Sequence, residues 1–196
     1  MVLNIFYNII FFIGARQGDT DMKKSSFCFR GIVVFVLGCA LFIFFILSGC
    51  TKKYDNARAL FDEFCDVYGT LPAGKLFVST ANEWDEEYLS DEIIYSMYTD
   101  TRGVCYYDLV AESAIYLCSS PDVFCEFAVF ICRDNTDTQA VAKMCHARID
   151  MARELRNLVN TEYSESARVE IFGNVVVMSV LPDAKKAEKA IRLLSR

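Results

Sequence analysis

Ser113-Ala114-Ile115-Tyr116-Leu117-Cys118, then Ser119-Ser120-Pro121-Asp122-Val123, then Phe124-Cys125-Glu126-Phe127-Ala128-Val129-Phe130-Ile131-Cys132, reads as a strand, a turn and a second strand. Two apolar runs enclose five residues of turn chemistry, which is the pattern of a hairpin. A second hairpin follows downstream, where Val169 to Phe172 and Val175 to Leu181 flank Gly173-Asn174, a pair suited to the positive backbone angles of a tight turn. Between the hairpins, Thr136 with Gln139 three residues later resembles a capping box, and Val141, Met144, Cys145, Ile149, Ala152, Leu155 and Val159 form one helical apolar stripe. After Pro182-Asp183, the residues Ala187, Ala190, Ile191 and Leu194 line a terminal helix.

Upstream, Tyr54, Ala57, Leu60, Phe61, Phe64, Cys65 and Tyr68 recur at three and four, predicting an amphipathic helix that ends at Thr70-Leu71-Pro72-Ala73-Gly74. Lys75 to Ser79 reads as a short strand. Asp85 to Tyr98 reads as a second helix with Asp85, Glu86 and Glu87 in its first turn, where the helix dipole favours carboxylates. The order α-β-α-β-β-α-β-β-α gives an α+β class: an antiparallel sheet built from two hairpins plus a short strand, with helices packed on one face.

Charge narrows the function. Residues 1–49 hold four basic side chains (Arg16, Lys23, Lys24, Arg30) and two acidic ones (Asp19, Asp21), so the remainder carries 16 basic against 24 acidic residues, a net charge of −8. Nucleic-acid binding needs clustered Lys and Arg to neutralise phosphates, and an acidic domain of this kind excludes that class of partner.

The segment Met22-Lys23-Lys24-Ser25-Ser26-Phe27-Cys28-Phe29-Arg30, followed by the 17 uncharged residues Gly31 to Leu47, has the positive start and apolar run of a secretory signal. It ends in Leu47-Ser48-Gly49-Cys50, which resembles the lipobox of bacterial lipoproteins, where the cysteine thiol receives a diacylglyceryl group before cleavage. Residues 22–49 are therefore expected to be a lipoprotein signal peptide, Cys50 the lipidation site, 50–53 a lipidated tether and 54–196 one domain. The alternative is an uncleaved transmembrane helix, since 17 residues approach the roughly 20 that span a bilayer. Either reading puts the domain at the extracytoplasmic face of the cell membrane. Residues 1–21 carry a second apolar stretch, Ile5 to Ile13, that a single signal peptide does not need, and translation is expected to start at Met22.

Glu126-Phe127-Ala128-Val129-Phe130, the helix carrying Arg148, and Ile171-Phe172-Gly173-Asn174-Val175-Val176-Val177 together resemble a family of short bacterial lipoproteins catalogued only as a domain of unknown function. The likeness runs from about Leu109 to Leu194, a little over half of the exported part. It implies an extracytoplasmic lipoprotein without an established biochemical activity, and it brings no catalytic residue. Six cysteines beyond Cys50 set this chain apart from that family.

Arg148 lies seven residues after Val141, inside the apolar stripe, and a guanidinium there needs a partner. Glu126 is the only charge between Val123 and Cys132, so a Glu126–Arg148 ion pair between strand and helix is expected. It is either a structural salt bridge or, through Arg148, an anion site. The remaining cysteines are Cys65, Cys105, Cys118, Cys125, Cys132 and Cys145. Cys118 and Cys125 stand symmetrically about Pro121-Asp122, so a regular hairpin sets them opposite each other, within reach of a disulfide. Against that bridge stands the ease with which cysteine packs as a small apolar strand residue, and the weak oxidation of exported proteins in anaerobes.

His146, the only histidine, falls opposite the apolar stripe, and its neighbour Cys145 faces elsewhere, which defeats a catalytic Cys–His pair. No zinc-ligand spacing, glycine-rich phosphate loop or GxSxG turn is present, so no catalytic residue, no metal and no cofactor is assigned. The group Asp85, Glu86, Glu87, Asp91 and Glu92 has the residue types of a calcium loop or of paired sugar-hydrolase carboxylates, but lacks the alternating ligands and central glycine of the former and reads as a solvated helix face. Trp84 and Tyr88 beside it are expected in the core. The functional expectation is a non-enzymatic binding or adaptor module, held to the membrane through lipid on Cys50, with an envelope protein as partner; the alternative is an envelope hydrolase acting on cell-wall material.

Overall fold

In the computed structural model, which describes residues 54–120, 123–154, 160 and 162–196, helix α1 spans Ala57–Tyr68. Asn56 caps it by accepting from the Ala59 N–H at 2.8 Å, and Leu60, Phe61, Phe64 and Tyr68 are buried along one stripe. Gly69 ends the helix with φ +83°, a conformation free of strain only for glycine, and returns its N–H to the Cys65 carbonyl at 2.7 Å. The helix does not begin at Tyr54, because both backbone groups of Tyr54 are taken by one side chain. The Asn174 carboxamide accepts from the Tyr54 N–H and donates to its carbonyl, each at 2.9 Å.

Strand β1 (Gly74–Val78), helix α2 (Asp91–Tyr98), β2 (Val110–Cys118), β3 (Glu126–Cys132), helix α3 (Thr138–Glu154), β4 (Arg168–Phe172), β5 (Val175–Val180) and helix α4 (Ala184–Leu194) follow in the expected order. The five strands make one antiparallel sheet in the order β1-β2-β3-β5-β4, so the two hairpins lie side by side and β1 extends the first. The fold class is α+β.

The helices, however, cover both faces of the sheet rather than one. Phe127, Val129, Ile131, Val175 and Val177 pack with α1 and α4, whereas Ala128, Phe130, Cys132, Val176 and Met178 pack with α2 and α3. Every residue of β3 and of β5 is buried. Successive strand residues point to opposite faces, so an unbroken apolar run such as Phe127 to Cys132 needs a cover on each side. On the first face Phe64 stacks on Phe127 with ring centroids 3.8 Å apart; burying a side chain of this size contributes about 1.5–3 kcal/mol.

Helix α2 starts at Asp91, not Asp85. Asn82 donates its N–H to Asp85 Oδ2 at 2.8 Å, and the Glu87 carbonyl accepts from the Val78 N–H at 2.9 Å, so the intervening residues are held in turns tied to the end of β1. The capping box gives way to a neighbouring residue as well: Asp134 accepts from both the Thr136 N–H and its hydroxyl, ahead of a short 3-10 turn that leads into α3. The expected lipidation site Cys50, the expected signal peptide over 22–49, the expected 1–21 extension, Pro121, Asp122, Leu155 and Val159 lie outside the described residues. Among the described residues no helix is long and apolar enough to cross a membrane.

Candidate functional site

The most polar point of the interior is built by three elements. Glu126 opens β3 and is 1% exposed; Tyr98 closes α2 and is fully buried; Arg148 sits in the third turn of α3. Arg148 donates from Nε at 3.1 Å and from a terminal nitrogen at 3.0 Å, both to Glu126 Oε2, and the Tyr98 hydroxyl donates to Oε1. The guanidinium carbon also lies 5.9 Å from the Tyr98 ring centroid and 5.1 Å from that of Phe124, an arrangement that favours a cation against aromatic faces.

Burial opposes the charge on Arg148, but the Glu126 carboxylate, Tyr98 and the hydrogen bonds outweigh it and hold the guanidinium above its ordinary value. The Tyr98 hydroxyl is pushed well above the tyrosine range, first by burial and then by the Glu126 charge. Both carboxylate oxygens are engaged and the charge is neutralised in place, so the cluster ties the sheet to α2 and α3 and is not an open base. Among the described residues no buried side-chain nitrogen or oxygen lacks a partner.

Cys118 and Cys125 are joined by a disulfide across the first hairpin, with α-carbons 5.4 Å apart and the Cys118 N–H donating to the Cys125 carbonyl at 3.1 Å. Cys65, Cys105, Cys132 and Cys145 are free thiols. Burial raises Cys65 to about 11 and Cys132 to about 12, raises Cys105 and holds Cys145 well above the ordinary thiol range, so none of the four is an activated nucleophile. His146 is exposed, on a shallow groove of about 220 Å³ shared with Lys143, Asp150 and Arg102. No group of three or more His, Cys, Asp or Glu among the described residues is placed to hold a metal ion.

The acidic segment divides by role. Asp85 closes the turn with Asn82, Glu87 pairs with Arg58 at 2.7 Å, and Asp91 and Glu92 occupy the first turn of α2. Trp84 is not in the core: it is 93% exposed. Trp84 lies in the turn that Asn82 and Asp85 close, which carries it away from both packed faces of the sheet.

No family model, curated protein or solved structure matches this chain. The functional reading therefore rests on its own residues.

Two of these residues were not legible in sequence as organisers. Tyr98 reads only as the last residue of the predicted second helix, and only its approach to Glu126 makes it a hydrogen-bond donor to a buried charge. Asn174 reads as turn chemistry, yet it is wholly buried and holds Tyr54, 120 residues away in sequence, while also donating to the Cys132 carbonyl at 3.3 Å. An asparagine in a hairpin turn gives no signal of that second role.

Proposed function

We propose that this chain is a membrane-anchored extracytoplasmic lipoprotein whose small α+β domain is a non-enzymatic binding or adaptor module of the cell envelope. The observation that carries the proposal is Leu47-Ser48-Gly49-Cys50 at the end of a charged start and a 17-residue uncharged run. Two or three acyl chains on Cys50 suffice for stable anchoring, because each buried methylene contributes about 0.8 kcal/mol. The polar groups among the described residues support the binding reading over chemistry: the buried Glu126–Arg148 pair is internally neutralised, and the free thiols are raised by burial.

The test is metabolic labelling of cells with an alkynyl palmitate, comparing the wild-type chain with Cys50→Ala. The expected result is label on the wild type, and none on the variant, which also keeps its uncleaved apolar segment. Label on both chains, or on neither, refutes lipidation at Cys50. Cross-linking in the same cells then tests the adaptor role, with an envelope protein captured by the anchored form alone as the expected outcome. If the chain instead processes cell-wall fragments without such capture, the hydrolase reading replaces it.

A further inference from the structure

Several separate contacts gather the start of the domain and the Trp84 turn at one end of the sheet. The Ala57 N–H donates to Glu112 Oε2 at 3.1 Å near the start of β2, and Tyr54 is held by Asn174 in the β4–β5 turn. Val78, at the end of β1, pairs with Ala114, and Ser79 exchanges hydrogen bonds with Ser113 at 3.0 Å and 2.8 Å. The segment after Ser79 is tied back to α1 by the Arg58–Glu87 ion pair. The hairpin bearing Cys118 and Cys125 is at the other end, where Gly74 pairs with Cys118.

Only Thr51-Lys52-Lys53 separate Cys50 from Tyr54. Four residue steps span at most about 14 Å when fully extended, so a lipid on Cys50 brings the membrane to this end of the domain. At this end a tryptophan is exposed on a turn already ordered by the Asn82–Asp85 and Val78–Glu87 hydrogen bonds. An indole combines a large apolar body with one N–H donor, the chemistry that favours the headgroup region of a bilayer.

We propose that Trp84 rests in the interfacial region of the membrane that carries the Cys50 lipid, so that the domain stands on the end of the sheet where α1 begins. The proposal rests on lipidation of Cys50. Glu83, Asp85 and Glu86 are exposed beside the tryptophan and oppose contact with anionic headgroups. The tether offsets this in two ways. It supplies a high effective concentration without any affinity of the turn itself, and Lys52 and Lys53 add cations in the same stretch of chain.

Trp84 is the only tryptophan, so its fluorescence reports on this contact directly. Full-length processed protein is extracted from membranes and reconstituted into phosphatidylethanolamine–phosphatidylglycerol vesicles, with and without brominated acyl chains, and floated on a gradient. The expected result is co-flotation, loss of emission with brominated lipid and protection from aqueous iodide. Co-flotation with emission still open to iodide and indifferent to brominated lipid overturns the tryptophan contact while leaving the anchor intact. Failure to float overturns the anchor and the contact with it. A second chain, Trp84→Phe with Ser119→Trp, moves the indole to the opposite end; equal quenching by brominated lipid there overturns the proposed orientation.

Discussion

At the scale of single residues, the Tyr98–Glu126–Arg148 cluster shows how one charge in an apolar run constrains its surroundings. Glu126 in β3 has no solvent to turn to, so its stability depends on the partners brought by α2 and α3. Breaking a buried pair leaves the other charge uncompensated, and Arg148→Met should destabilise the domain by about 3–5 kcal/mol. Removing both charges in Glu126→Leu/Arg148→Met should cost less than the single substitution, because no orphan charge remains, although the Tyr98 hydroxyl then loses its acceptor. Urea titrations of the three proteins check this. A double variant less stable than Arg148→Met would show that the pair is worth more than its desolvation. The expectation of a Glu126–Arg148 contact came from a helix period and a lone charge; Tyr98 joined the cluster only through the packing of α2.

At the scale of elements, the edge strand β1 depends on a position where a side chain has no room. A Cβ on Gly74 would lie 2.4 Å from the Leu117 carbonyl oxygen and 2.6 Å from the Tyr116 ring. The carbonyl is part of the sheet and cannot swing away, so Gly74→Ala must displace β1 from β2. Overpacking of this kind typically costs about 1–3 kcal/mol, read as a lower denaturant midpoint; an unchanged midpoint and unchanged protection of the Ser119 amide, which donates to the Ala73 carbonyl at 2.8 Å, would refute the constraint. Elements with a strong period, α1, α3, α4 and both hairpins, were readable from their apolar spacing. The start of helix α2 was not, since the acidic residues that suit a helix start also suit turns, and the Val78–Glu87 backbone hydrogen bond selects the turn.

At the scale of the whole molecule, two apolar layers bury thiols and phenols in neutral form, which couples stability to alkaline pH. Cys65 rises to about 11 and Cys132 to about 12 from an ordinary value of 9.0, both chiefly through burial. Above pH 9 the unfolded chain releases these protons while the folded one retains them. Their stabilising contribution is complete below pH 9 and is lost as pH rises toward 11 and 12. The urea midpoint should therefore fall between pH 9 and 11, and Cys65→Ala with Cys132→Ala should flatten that fall. An equal slope in the double alanine variant would assign the effect to other groups.

The sequence alone determined the order of helices and strands, the α+β class and the expected meeting of Glu126 with Arg148, because periodicity and a lone charge are local properties that need no knowledge of the fold. Tertiary structure decided what depends on distant chain segments. It placed α1 and α4 on one face and α2 and α3 on the other, since a continuous apolar strand specifies that both sides are covered but not by which helices. It also set Asn174 against Tyr54 and left Trp84 outside the core, because a turn residue's role depends on which segment of the chain arrives beside it.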